Sequence, residues 1–149
     1  MLLPITLTLA AACALINLWL AVRCTLLRMA TKTLHGDGGD PRLARRMRAH
    51  ANFTEYTPII LILFALIELA NGASIILWAG AAIYVAARLA HGVGMDGAGE
   101  GPHPMRAIGA TATWLVMLAL AFAALYVAYS ATRALPAPPA MAQAEPTSP

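Results

Sequence analysis

In a chain of 149 residues, 60% are hydrophobic and only 11% charged, and ten basic against seven acidic residues leave a formal charge of +3. That is too apolar for an ordinary soluble domain. The bases sit at the ends of apolar runs rather than on a polar patch, which argues against a nucleic-acid partner.

Met1 to Val22 carries no charge, and neither does Ala107 to Thr132. Each run exceeds the roughly 20 residues needed to cross a hydrocarbon core. Two shorter apolar stretches lie between them, one ending before Asn71-Gly72 and the other near His91-Gly92. The pattern predicts an all-α, integral-membrane four-helix bundle in one domain, with helices at about 4–28, 49–70, 74–92 and 105–132. Residues 133–149, rich in Pro and Ala without periodicity, read as a disordered tail. The first run lacks a basic front and is too long for a signal peptide, so it reads as a span. Cys13 and Cys24 have no metal-ligand spacing and read as small packing residues.

Orientation follows from the bases. Arg28, Lys32, Arg42, Arg45, Arg46 and Arg48 crowd the first connection, and Arg88 and Arg106 flank the third. The second connection, Asn71 to Ser74, has none. The first and third connections are therefore expected in the cytoplasm, with both termini outside it.

In chain order, Asn17 is polar at mid-span and is expected to hydrogen-bond to another helix. Arg28 reads as a side chain snorkelling to the interface. His35 to Pro41 is turn-rich. Asp40 suits an N-cap with Pro41 in the first turn, so Arg42 to Arg48 is expected to be helical before the membrane is entered. Asp37-Gly-Gly-Asp40 lacks the ligand pattern of a calcium loop, and His91 with His103 lacks the supporting ligands of a metal site, so no metal is expected.

The second span opens on ionisable residues, which are costly at a membrane mouth and mark a functional site. At about 100° per residue, Arg48, Asn52 and Glu55 share one stripe, with Arg45 and Tyr56 on its edge and His50 on the other side. Pro58 lies inside the span, where neighbours must satisfy the freed carbonyl. Glu68 reads as a solvated or interhelical polar end rather than a second catalytic carboxylate. In the third span Tyr84, Arg88 and His91 fall on one face; the plain reading of the last two is interfacial side chains meeting water. Met105-Arg106 sits in the first turn of the fourth.

The stretch Arg48-Ala-His-Ala-Asn52-Phe-Thr-Glu55-Tyr56-Thr-Pro58 resembles the second-helix signature of the MAPEG family, membrane-associated proteins in eicosanoid and glutathione metabolism. That signature runs Arg-Ala-His or Gln, then Asn, then Glu, often followed by Tyr and Pro. Gly36-Asp-Gly-Gly and Ala-Arg88-Leu-Ala-His91 look like its bacterial branch. The resemblance implies a homotrimer with glutathione held between subunits near the cytoplasmic face. Arg106 matches the position of the family's thiol-stabilising arginine and is the expected catalytic residue. Phe53 stands where several eicosanoid enzymes carry Asp or Cys, Arg23 only approximates a family basic residue, and the loop before Arg106 differs in length.

The residue chemistry suits that ligand. Glutathione carries two carboxylates and one ammonium. Arg45 and Arg48 can fork onto carboxylates, Glu55 can accept from the ammonium, and Asn52 can serve the peptide groups. Tyr56, Tyr84, Arg88 and His91 complete the expected glutathione-binding set. One helix cannot enclose a tripeptide, so the third or fourth helix of a neighbour is expected to close the pocket, with Tyr84, Arg88 and Arg106 as the partners. An arginine at a helix N-terminus favours a thiolate through its own charge and the helix dipole. The expected function is a membrane-bound glutathione-dependent transferase or peroxidase acting on lipophilic small molecules that arrive through membrane lipid. A non-catalytic protein of the same fold is the alternative. A small multidrug transporter is more remote, because transporters place a coupling carboxylate near the midplane and the first span has none.

Single cysteines at Thr33 and Ala140, in a background free of Cys13 and Cys24, should label from opposite sides of the membrane. Labelling of both from one side would overturn the four-span reading.

Overall fold

The apolar runs become four helices in a computed structural model that describes residues 2–97 and 103–134: α1 (Pro4–Thr31), α2 (Pro41–Asn71), α3 (Ile75–Gly97) and α4 (Pro104–Ala134). Each is long and apolar enough to cross a membrane. There is no strand among the described residues, so the fold is the all-α four-helix plan that the hydropathy pattern implies. The expected tail lies outside the described residues, apart from the end of α4.

Local chemistry sets the helix ends. α2 starts at Pro41 because the Asp40 carboxylate accepts from the Arg42 amide at 2.8 Å, while Pro41 fills a position that needs no N–H donor. The Arg42 side chain also bonds this carboxylate and holds it down at about 2, so the cap stays ionised at any ordinary pH. α1 runs past Arg28 and closes on Lys32 in the left-handed region at φ 52°. There the Lys32 amide reaches the Met29 carbonyl and the Thr33 amide that of Arg28, the paired bonds of a Schellman end. α3 continues to Gly97, well beyond the expected stop at Gly92.

Successive helices are antiparallel. Along α1 and α2 the paired residues run in opposite order: Ile5 with Glu68, Asn17 with His50, Arg23 with Arg46. α2 and α3 each touch all three other helices, whereas α1 and α4 lie apart. The core is a column of Leu9, Ile16, Leu20, Phe53, Ile60, Phe64, Ala81 and Tyr84, and apolar side chains such as Leu15, Leu18, Leu118 and Phe122 point outward, as lipid-facing residues do.

Two features fix the bundle. At the end opposite the basic first connection, Glu68 is 1% exposed and closes on the first turn of α1. Its carboxylate accepts from the Ile5 amide at 2.9 Å, the Thr6 amide at 2.8 Å and the Thr6 hydroxyl at 2.7 Å. Leu3, the cap residue of α1, makes no side-chain bond of its own. Glu68 thus supplies from α2 the acceptor that orphan N–H groups need, with a charge matched to the helix dipole. It is an interhelical end, as one of the two sequence readings held. At the other end, α3 and α4 meet backbone to backbone. A methyl group on Gly109 would fall 2.5 Å from the Ala87 carbonyl oxygen and 2.6 Å from the His91 nitrogen, and one on Gly94 would run into the Arg106 amide. Small residues permit this approach in lipid.

Glu68→Ala should therefore lower stability in detergent by about 1.5–3 kcal/mol, since charge-assisted bonds to buried donors are lost. Glu68→Gln, which retains one acceptor, should lose less, and thermal unfolding of the two variants checks the order.

Candidate functional site

The stripe on α2 divides when the bundle forms. Arg48 and Glu55 remain on the outside, 64% and 48% exposed, and pair with each other at 3.2 Å. Asn52 turns inward, and its side-chain oxygen accepts from Arg88 Nη2 at 3.0 Å. Tyr56 is half-buried and accepts from the Trp114 indole N–H of α4 at 3.2 Å. Arg45 is half-buried, and its Nε is enclosed without a hydrogen-bond partner. His50 points away from the exposed pair, toward α1, and meets the Asn17 amide oxygen at 2.9 Å. That contact satisfies the expectation for Asn17 as well.

The α3 face points into the bundle, not into water. Arg88 is 1% exposed and His91 5%, which corrects the reading of both as interfacial side chains meeting solvent. α4 covers them, because Gly94 and Gly109 let its backbone close over this part of α3. Arg88 bonds Asn52 and, at 3.4 Å, the Thr113 hydroxyl, with its guanidinium over the Phe53 ring at 5.5 Å. Its Nε has no partner, and no carboxylate reaches it among the described residues. A buried cation held only by neutral groups is costly. Tyr84 is fully buried, its hydroxyl 2.8 Å from that of Thr57, which in turn donates to the Phe53 carbonyl at 2.6 Å. Tyr84 is not brought to the Arg48–Glu55 pair.

Arg106 is exposed on the first turn of α4, and its carbonyl lies 3.3 Å from His91 Nδ1. It pairs with no carboxylate among the described residues. The amides of Arg106 and Ala107 turn back to the His103 carbonyl, which closes the start of the helix. The structure therefore joins α2, α3 and α4 through Asn52, Arg88 and Thr113, and leaves Arg48, Glu55 and Arg106 on the surface.

Three participants escaped the sequence reading. Thr113 is seven residues after Arg106, on the same helical face, and that spacing was available. Trp114 was signalled only as an aromatic within a span. Asp96, which takes Arg46 at 3.1 Å, falls where α3 was expected to have ended. No cluster of His, Cys, Asp and Glu fit for a metal occurs among the described residues.

Since Arg88 is buried at a net cost, Arg88→Met should leave thermal stability unchanged or raise it. Asn52→Ala should instead cost about 1–3 kcal/mol, because it strips a partner from a charge that stays buried. A melting-temperature comparison in detergent distinguishes a residue kept for function from one kept for folding.

Comparison with known proteins agrees with this architecture. The sequence matches the MAPEG family over residues 6–126. It is 30% identical over 103 residues to the inner membrane protein YecN of Escherichia coli (strain K12), an alignment covering 67% of this chain and 74% of that protein. YecN of Escherichia coli O6:H1 (strain CFT073) matches to the same extent. With four membrane-spanning helices and a match across all of them, the chain is an integral, multi-pass membrane protein that belongs to the MAPEG family.

Proposed function

We propose that the protein is a glutathione-dependent transferase or peroxidase for lipophilic electrophiles, working as a homotrimer with the arginine-rich end in the cytoplasm. The observation that carries this reading is the excess of unpaired cation at one end of the bundle: Arg45, Arg88 and Arg106 meet no carboxylate among the described residues. Arg88 is buried while lacking one. A ligand with two carboxylates and a thiolate supplies what these groups lack.

The trimer has its own support. Arg48 and Glu55 stand on the outer surface of a membrane span, and lipid is a poor neighbour for either. A second copy covering this face removes the conflict and encloses the ligand that one α2 cannot. The inner-membrane placement of YecN and the basic first connection support both the membrane and the orientation.

In this reading Arg48 and Arg45 bind carboxylate, Glu55 exchanges Arg48 for the ligand's ammonium, and Asn52, already oriented by Arg88, meets the peptide groups. Arg106 stabilises the thiolate. The sulfur lone pair then attacks an electrophilic carbon, whose leaving group departs with the bonding pair, or one oxygen of a hydroperoxide, breaking the O–O bond so that the other oxygen leaves as alkoxide; a second glutathione then reduces the resulting sulfenic acid to the disulfide and water. The charge on sulfur must be formed first, so the arginine lowers the barrier by favouring the ionised thiol. The self-satisfied Arg48–Glu55 pair favours a second reading, in which the stripe is structural and the protein keeps the fold without the chemistry.

Calorimetry with glutathione decides between them. Arg48→Ala and Glu55→Gln should each weaken binding about 10- to 100-fold, the range for a lost bond to a charged group. Unchanged affinity in both supports the structural reading. Arg106→Met should raise the pKa of the bound thiol in a thiolate-absorbance titration with little loss of binding. If Arg88→Met does so and Arg106→Met does not, the thiol lies against α3.

A further inference from the structure

Outside the site just described, Asp96, on the last turn of α3, ties three helices together. One carboxylate serves two guanidiniums from two different helices. Arg46 of α2 donates Nε to Oδ1 at 3.1 Å and Nη2 to Oδ2 at 3.4 Å, and Arg23 of α1 places Nη2 directly on Oδ2. The arginines are themselves linked, since Arg46 Nη1 donates to the Arg23 carbonyl at 3.1 Å. Arg23 also donates to the Gly92 carbonyl of α3 at 3.4 Å and lies over the Trp19 ring at 4.3 Å. The arginine-rich ends of α1, α2 and α3 are thus pinned at one point.

α4 is bound to that point through backbone. Gly94, two residues before Asp96, abuts the Arg106 amide, and His91 reaches the Arg106 carbonyl. α3 and α4 therefore move as one body, with Arg106 on it. Arg45 and Arg48 ride on α2, on either side of Arg46. Among the described residues, the remaining polar ties between α2 and the α3–α4 body are Thr57 with Tyr84, Asn52 with Arg88 and Tyr56 with Trp114, single bonds to uncharged partners on α2.

We propose that Asp96 is a positioning residue: by gripping Arg23 and Arg46 it fixes the α3–α4 body against α1 and α2, and so sets the separation of Arg106 from the α2 stripe. The proposal rests on the glutathione reading for its chemical consequence, but not for the mechanical link. Reactions of this kind are sensitive to such placement, and a shift of about 1 Å can cost 10²-fold in rate.

The sign of one measurement separates positioning from plain electrostatics. Asp96→Asn removes a negative charge and leaves Arg23 and Arg46 uncompensated. If charge alone mattered, the pKa of bound glutathione would fall. If Asp96 positions Arg106, the thiolate loses its partner and the pKa rises, with kcat toward a reactive aromatic halide down about 10- to 100-fold and the Kd for glutathione nearly unchanged. A merely structural residue would lower the melting temperature and leave the thiol titration where it was. Arg46→Gln, which keeps the Arg23–Asp96 pair, should lower kcat more weakly; because it removes a positive charge its thiol pKa rises on either account, so if Asp96→Asn does not assemble, the decision falls to the readout that follows. A second readout needs no glutathione. The indole N–H resonance of Trp114 in 15N-tryptophan-labelled protein, assigned by Trp114→Phe, reports the bond to Tyr56 across α2 and α4. It should move in both variants. An unmoved resonance in both overturns the proposal whatever glutathione does, and so does a thiol pKa that falls or stays constant. Failure of the parent protein to bind glutathione overturns the proposed function and leaves the link to be decided by the indole resonance.

Discussion

Within a bilayer no water is available to satisfy a stray donor or acceptor, and this constraint shapes every polar contact in the bundle. Asn17 has His50, Thr57 has both the Phe53 carbonyl and Tyr84, and the Trp114 indole has Tyr56. The orphan amides at the start of α1 are met by a carboxylate from the far end of α2. Where the rule is broken, at Arg45 Nε and Arg88 Nε, the break falls beside the residues that carry the family resemblance.

The close approach of α3 and α4 turns these separate contacts into a site. Without a side chain at Gly94 and Gly109, α4 settles onto α3, buries Arg88 and His91, and carries Thr113 to Arg88 and Trp114 to Tyr56. The site is thus layered. Neutral groups hold Arg88 inside, and the ionised residues Arg48, Glu55 and Arg106 lie outside it.

The helices were legible in the sequence because a membrane imposes one signal, an uncharged run of sufficient length. The start of α2 was legible too, since Asp40-Pro41 carries its own capping chemistry. The overrun of α3 was not. Gly92 read as the end of a helix, and only the packing of α1 on Gly92 and of α4 on Gly94 reveals these glycines as contact positions inside one. Asp96 was lost with them. Periodicity put the α2 stripe on one face, but it could not tell that Asn52 at its centre would turn inward while Arg48 and Glu55 stayed out. Nor could it show that Arg88 and His91 are covered, because burial belongs to the pair of helices and not to either alone.

The carboxylate of Glu68 has a consequence for how the chain enters the membrane. The first turn of α1 is complete only when a residue more than sixty positions later has arrived beside it. Until α2 has brought that carboxylate to the same side, the leading amides of α1 have no such acceptor. The first two helices are thereby latched as a hairpin at this end. The ionised side chain that is expensive to move through lipid becomes, on arrival, the group that stops the hairpin from sliding back.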